Sequence, residues 1–152
     1  MIAMKVIFLD FDGVLNSLRS PAEGVNLVPE KLKLLKQLVD ATGASIVLST
    51  SWREHWGTGG DATGAVMDQM FHDHGLQIFD KTPTLSQGRE AEIKAWLDQH
   101  PQVNNFVVLD DRLLAAEYLQ GHFVKVSSYF GGLAEVDVDD AIRILEEVTH
   151  IG

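Results

Sequence analysis

Val6-Ile7-Phe8-Leu9-Asp10-Phe11-Asp12-Gly13 is a block of four apolar residues that stops at two carboxylates and a glycine. The apolar part is continuous rather than alternating, the pattern of a strand covered on both faces, as in a parallel sheet. Ser45–Leu48, Phe106–Leu109 and Phe123–Val126 have the same character. Helical spacing fills the intervals. Residues 29–41 carry Leu32, Leu35, Leu38 and Val39, with Pro29 suited to a first turn and Gly43 to a stop. Residues 89–99 place Ile93, Trp96 and Leu97 on one face ahead of Pro101. Residues 112–120 and 138–149 read as two more helices, the last with Ile142, Leu145 and Val148 in register. Strands alternating with helices predict an α/β protein, a three-layer sandwich around a mostly parallel sheet. Gly57-Thr-Gly-Gly-Asp61 reads as a flexible loop, and no composition shift marks a second domain, so residues 1–152 are expected to form one.

Composition narrows the classes. An apolar fraction of 45% with mean hydropathy of +0.02 indicates a folded globular chain. There is no apolar run near twenty residues, so no membrane span is expected. The apolar segment Lys5–Leu9 is too short for the core of a signal peptide and runs into aspartates, which predicts an intracellular, cytoplasmic protein. Without cysteine the chain has neither disulfides nor thiolate chemistry. The net charge of −10 opposes nucleic acid and anionic lipid as a uniform field. A bound divalent cation and a few basic side chains reverse that sign locally, so a phosphorylated substrate stays open.

Ligands of parallel sheets bind beyond the carboxyl ends of the strands. Asp10-Phe-Asp-Gly13 follows the first strand, Ser49-Thr-Ser-Trp-Arg53 the second and Asp110-Asp-Arg112 the third. Four carboxylates and a hydroxyl cluster therefore meet at one edge. Carboxylates so crowded raise one another's pKa unless a cation lies among them, and an all-oxygen set suits magnesium. Metal, carboxylate nucleophile and hydroxyl together make a phosphoryl-transfer site. Each piece has a plainer reading: Asp12, the Ser-Thr-Ser run and Asp110-Asp111 are all residue types that cap helices or form turns. Their joint occurrence at three strand ends favours chemistry. His72 and His74, two apart on a helical pattern, point apart and read as surface residues.

Val6-Ile-Phe-Leu-Asp-Phe-Asp-Gly-Val-Leu-Asn16 resembles the first motif of the haloacid-dehalogenase (HAD) superfamily, an apolar strand followed by Asp-x-Asp-Gly. Ile46-Val-Leu-Ser49 is similar to its second motif and Val107-Val-Leu-Asp-Asp111 to its fourth. The resemblance covers roughly residues 4–126 and implies a Rossmann-like sheet. It implies that Asp10 attacks phosphorus and Asp12 serves as acid and base. It implies a magnesium ion held by Asp10, the backbone carbonyl of Asp12 and Asp111, with Asp110 in support. Ser49, Gly13 and Thr50 would then hold phosphoryl oxygens. The third motif, a cation beside nucleophile and phosphate, has no plain signal here. Arg89 stands in the expected place, with Lys81 and Lys94 as alternatives. Ser49-Thr-Ser-Trp-Arg53 and Asp110-Asp-Arg112 further resemble nucleic-acid end-repair enzymes of the polynucleotide kinase-phosphatase kind. In that comparison Arg53 touches substrate phosphate at the rim. Trp52 and Trp56, one helical turn apart, either stack a base or pack into the core.

The expected reaction is a two-step phosphomonoester hydrolysis through an aspartyl-phosphate on Asp10. Family members often insert a cap domain after the first motif or between the second and third. Here Asn16 to Pro29 holds little more than a loop, and Trp52 to Arg89 roughly forty residues, so no large cap is expected. An open site suits a bulky substrate such as a polynucleotide or protein end. Two alternatives stand beside the phosphatase: a receiver-like phospho-accepting signalling module, and a HAD-fold binding module without catalysis. A receiver should carry its phospho-acceptor on a later strand, which the Asp-x-Asp-Gly placement disfavours.

Overall fold

The computed structural model describes residues 3–16 and 27–147. Val148 and most of the stretch between Asn16 and Pro29 lie outside them. The elements run β1 (Met4–Leu9), α1 (Pro29–Thr42), β2 (Ser45–Leu48), a 3₁₀ helix (Ser51–His55), α2 (Ala62–Asp73), β3 (Ile78–Lys81), α3 (Arg89–Asp98), β4 (Val103–Asp110), a 3₁₀ turn (Glu117–Leu119), β5 (Phe123–Lys125), a second such turn (Ser128–Phe130) and α4 (Glu135–Glu146). All five strands are parallel, in the order β3-β2-β1-β4-β5. The chain begins at the centre, builds outward through β2 and β3, then returns to the other side of β1 for β4 and β5. That reversal puts the switch point of the sheet between β1 and β4.

The continuous apolar runs are explained by two buried faces. Ile7 and Leu9 point into a layer with Leu32, Leu35 and Leu38 of α1, Met67 and Phe71 of α2 and Val138, Ala141 and Leu145 of α4. Val6 and Phe8 point the other way, toward Ile93 and Trp96 of α3 and Leu114 and Leu119. Phe8 meets Trp96 edge-on at 5.5 Å between ring centres. The result is the expected three-layer α/β sandwich with a Rossmann-like parallel sheet.

α1 begins with Pro29 and stops where Gly43 adopts φ 70°, its N–H bonding the Val39 carbonyl at 2.7 Å. α4 starts three residues before the expected 138, where Asp137 Oδ2 accepts the Ala134 N–H at 2.9 Å. The helix expected over 112–120 does not form; only Glu117–Leu119 closes a 3₁₀ turn. Leu114 and Leu119 are both buried in the same layer. They are five residues apart, well off one helical face, and an irregular stretch followed by the 3₁₀ turn delivers them both. β3 was not apparent in the sequence. It is a short edge strand with Phe79 half exposed, and its Ile78-Phe-Asp-Lys81 carries too little apolar signal. Its presence settles the forty residues between β2 and α3. They extend the sheet and cover it with α2, so no large cap lies there. Among the described residues no helix is long and apolar enough to cross a membrane.

Candidate active site

The backbone ladder carries past the strand ends and fixes the loops that follow. Asp10 N–H bonds Leu109 O at 3.1 Å, Ser49 N–H bonds Leu9 O at 3.0 Å and Val126 N–H bonds Asp110 O at 2.9 Å. Asp10, Ser49 and Asp110 are thereby held side by side at the carboxyl edge, at the switch point.

Asp10 is almost fully buried, with Oδ1 accepting its neighbour Phe11 N–H at 2.9 Å. Its Oδ2 lies 3.3 Å from Arg89 Nη1. The same nitrogen donates to Oδ2 of the fully buried Asp110 at 2.6 Å. Asp110 Oδ1 accepts the Arg112 N–H at 2.9 Å. α3 begins at Arg89, so its first residue spans the two central strands. Of the three candidate cations, Arg89 is the one turned toward Asp10. Lys81 instead donates to the carbonyls of Trp56 at 2.7 Å and Arg53 at 3.3 Å, closing the 3₁₀ helix. Lys94 pairs with Asp98 on the surface.

Asp10, Asp110 and Asp111 each offer a carboxylate oxygen, and these atoms lie within 4.8 Å of one another. Burial pushes the Asp10 carboxyl up to about 7, with Arg89 pulling the other way and Asp110 and Asp111 adding repulsion. Burial also raises Asp111. Such crowding of acids suits a divalent cation. Gly13 shapes the same place. It sits at φ 81°, and a Cβ there would stand 2.6 Å from Cγ of Asp111. The glycine gives Asp111 both a left-handed turn and the room to reach the cluster. The donor set therefore fits a hard divalent ion.

Asp12 points elsewhere. Its Oδ1 accepts Asn16 Nδ2 at 3.1 Å and its Oδ2 accepts Trp52 Nε1 at 3.1 Å. Asn16 is itself fixed, its Oδ1 accepting Gly13 N–H at 2.9 Å. The Asp12 carboxylate is not among the acids grouped closely enough to share an ion, which are Asp10, Asp110 and Asp111 among the described residues. Ser49 Oγ is buried with no hydrogen-bond partner among the described residues, a hydroxyl open to a ligand. Thr50 Oγ1 accepts the Trp52 N–H at 3.3 Å and caps the 3₁₀ helix.

Arg53 is not at the rim where the sequence reading put it. Only 5% exposed, it bonds Glu92 Oε2 at 2.6 Å, the Thr50 carbonyl at 2.9 Å and Thr84 Oγ1 at 3.3 Å. Glu92 also accepts the Leu85 N–H at 2.9 Å. The pair ties the loop after β2 to α3, one turn beyond Arg89. Glu92 escaped the sequence reading because a Glu in an acidic first turn looks solvated. Trp56 does not reach the site; its Nε1 donates to Asp68 at 2.8 Å. Trp52 packs half-buried against the main core while its N–H faces Asp12. Asn16 and Trp52 as partners of Asp12 had no signal in spacing, since one lies four residues on and the other forty.

Comparison with curated proteins gives no match, and neither does comparison with solved structures. A family model does match: the HAD domain in Swiss Army Knife RNA repair proteins, over residues 6–138. That span runs from β1 into α4 and includes every residue of the cluster at the switch point, and the chain belongs to this HAD family.

Proposed function

We propose that the chain is a magnesium-dependent phosphomonoesterase that works through an aspartyl-phosphate on Asp10 and acts on an RNA or other polynucleotide end. Membership of the family supports phosphohydrolase-type chemistry of the HAD kind, and its description supports RNA as the substrate class. The observation that carries the reading is the setting of Asp10. It is a buried carboxylate at the switch point, 3.3 Å from Arg89, beside a strand end whose Ser49 hydroxyl has no protein partner among the described residues.

In this mechanism a carboxylate oxygen of Asp10 forms a bond to phosphorus as the ester oxygen departs with a proton from Asp12. Water then attacks the aspartyl-phosphate, gives a proton to Asp12, and frees phosphate and the Asp10 carboxylate. Arg89 and Ser49 hold phosphoryl oxygens, and Arg89 keeps Asp10 and Asp110 close despite their like charges. Asp10, Asp111 and the Asp12 carbonyl would hold the magnesium ion, which offsets charge on nucleophile and phosphate when bound. Among the described residues no large cap closes over the edge, so binding energy must come from the substrate beyond its phosphate. The net charge of −10 limits how many phosphates the surface can attract, which favours recognition of an end over a long duplex.

The test is phosphate release with magnesium from 3′- and 5′-phosphorylated RNA oligonucleotides against a panel of small phosphate esters, for wild type and Asp10→Asn. Oligonucleotide turnover that is lost in Asp10→Asn is expected. A small ester preferred by an order of magnitude would remove the polynucleotide end and keep the chemistry. Full activity in Asp10→Asn would remove both.

A further inference from the structure

We propose that Trp52 is the positioning residue of Asp12: its indole N–H fixes the carboxylate that exchanges the proton with the leaving group. This rests on the phosphomonoesterase reading and adds a residue to it. Asp12 is held through both oxygens, by Asn16 on Oδ1 and by Trp52 on Oδ2, each at 3.1 Å. Two donors on opposite oxygens fix the plane of the carboxylate, which one donor does not.

The partners are chemically alike in one respect. An indole N–H and a primary amide N–H donate and have no lone pair with which to take a proton. Asp12 is therefore held without a proton sink beside it, and its exchange is directed to the substrate oxygen or to water. The indole has its own supports. The Trp52 main-chain N–H is bonded to Thr50 Oγ1, and its ring packs against the main core. Trp52 also stands three residues after Ser49, so one short segment delivers both the phosphoryl-binding hydroxyl and the brace for the acid. That gives the Ser49-Thr-Ser-Trp-Arg53 stretch a function at each end: the hydroxyl at the start, and at the finish Arg53 locking the segment to Glu92.

The experiment compares kcat/KM for an alkyl phosphate monoester, whose leaving oxygen needs a proton, with that for p-nitrophenyl phosphate, whose leaving group departs as an anion. Wild type, Trp52→Phe and Asp12→Asn are measured with magnesium. Trp52→Phe keeps an aromatic ring and removes the donor. The loss in Trp52→Phe is expected to be about tenfold larger on the alkyl ester, in the direction shown by Asp12→Asn, because acid help is worth about 10²–10⁴-fold and positioning is part of it. Equal losses on both esters, or no loss on either, overturn the proposal. Wild type and Asp12→Asn with the same alkyl-to-aryl ratio would instead overturn the acid role of Asp12 itself. A second measurement is independent of turnover. The three tryptophans give three indole N–H signals in a nitrogen–proton correlation spectrum, and the Trp52 signal should move in Asp12→Ala. An unmoved signal overturns the bond whatever the activity, and this arm carries the test if Trp52→Phe folds poorly.

Discussion

Gly13 leaves Asp111 its place: a Cβ on Gly13 would come within 2.6 Å of the Asp111 Cγ. Gly13→Ala should therefore weaken magnesium binding by about 10–100-fold, the range typical when a ligand's support is disturbed. The left-handed φ of 81° adds a cost of about 1–2 kcal/mol to folding. Calorimetric titration with magnesium and chemical denaturation separate the two effects. Unchanged metal affinity would mean that Asp111 moves aside freely.

Arg89 bridges two carboxylates, one of them fully buried. Arg89→Met should cost about 3–5 kcal/mol in the metal-free protein, since it leaves buried charge without a partner. It should also abolish phosphate release. Arg89→Lys should restore part of the stability and little of the activity, because an ammonium is a point charge without the planar fork. Denaturation midpoints and phosphate release measure both.

Much of this was legible in the sequence, and the parts that were not have physical causes. The buried strands read directly because a strand covered on both faces shows no alternation, and Asp10, Asp12 and Asp110-Asp111 announce themselves by following such strands. β3 was hidden because an edge strand needs few apolar residues, and the stretch 112–116 because leucines at non-helical spacing still look helical when counted. Arg53 was misplaced for a different reason. Its depth depends on Glu92, thirty-nine residues away, and a pattern in one segment cannot show where its counter-charge lies.

Asp10 makes the metal-free protein sensitive to pH. Its folded pKa of about 7 stands above the ordinary value of 3.8, so the folded state binds more protons than the unfolded state across that interval. Stability is then fully present below about pH 4 from this group and is lost as pH rises toward 7. Asp111, also raised, acts in the same direction. Thermal melts in chelator should show Tm falling over that window, with magnesium restoring more at pH 8 than at pH 6, because the ion must displace the proton. Asp10→Asn should flatten the dependence and raise the metal-free Tm at pH 8 while removing turnover. A flat wild-type profile would contradict it.

Arg53→Ala should act on stability first. Breaking its pair with Glu92, both side chains 7% exposed, should cost about 3–5 kcal/mol. Replacing both partners together, Arg53→Met with Glu92→Leu, should recover much of that. A side chain that met substrate at the rim would instead raise KM and leave the melt unchanged. Urea denaturation of the single and double variants decides between them.

The ladder bonds that run past the ends of β1, β2 and β5 have a consequence for how the protein wears out. The amides of Asp10, Ser49 and Val126 belong to the same hydrogen-bonded lattice as the central strands. Their protons should exchange with deuterated water only when the whole sheet opens, as slowly as those of Ile7 or Val107. The floor of the site would then have no local melting of its own. On heating, turnover should survive until the fold itself gives way, with no earlier, separate inactivation.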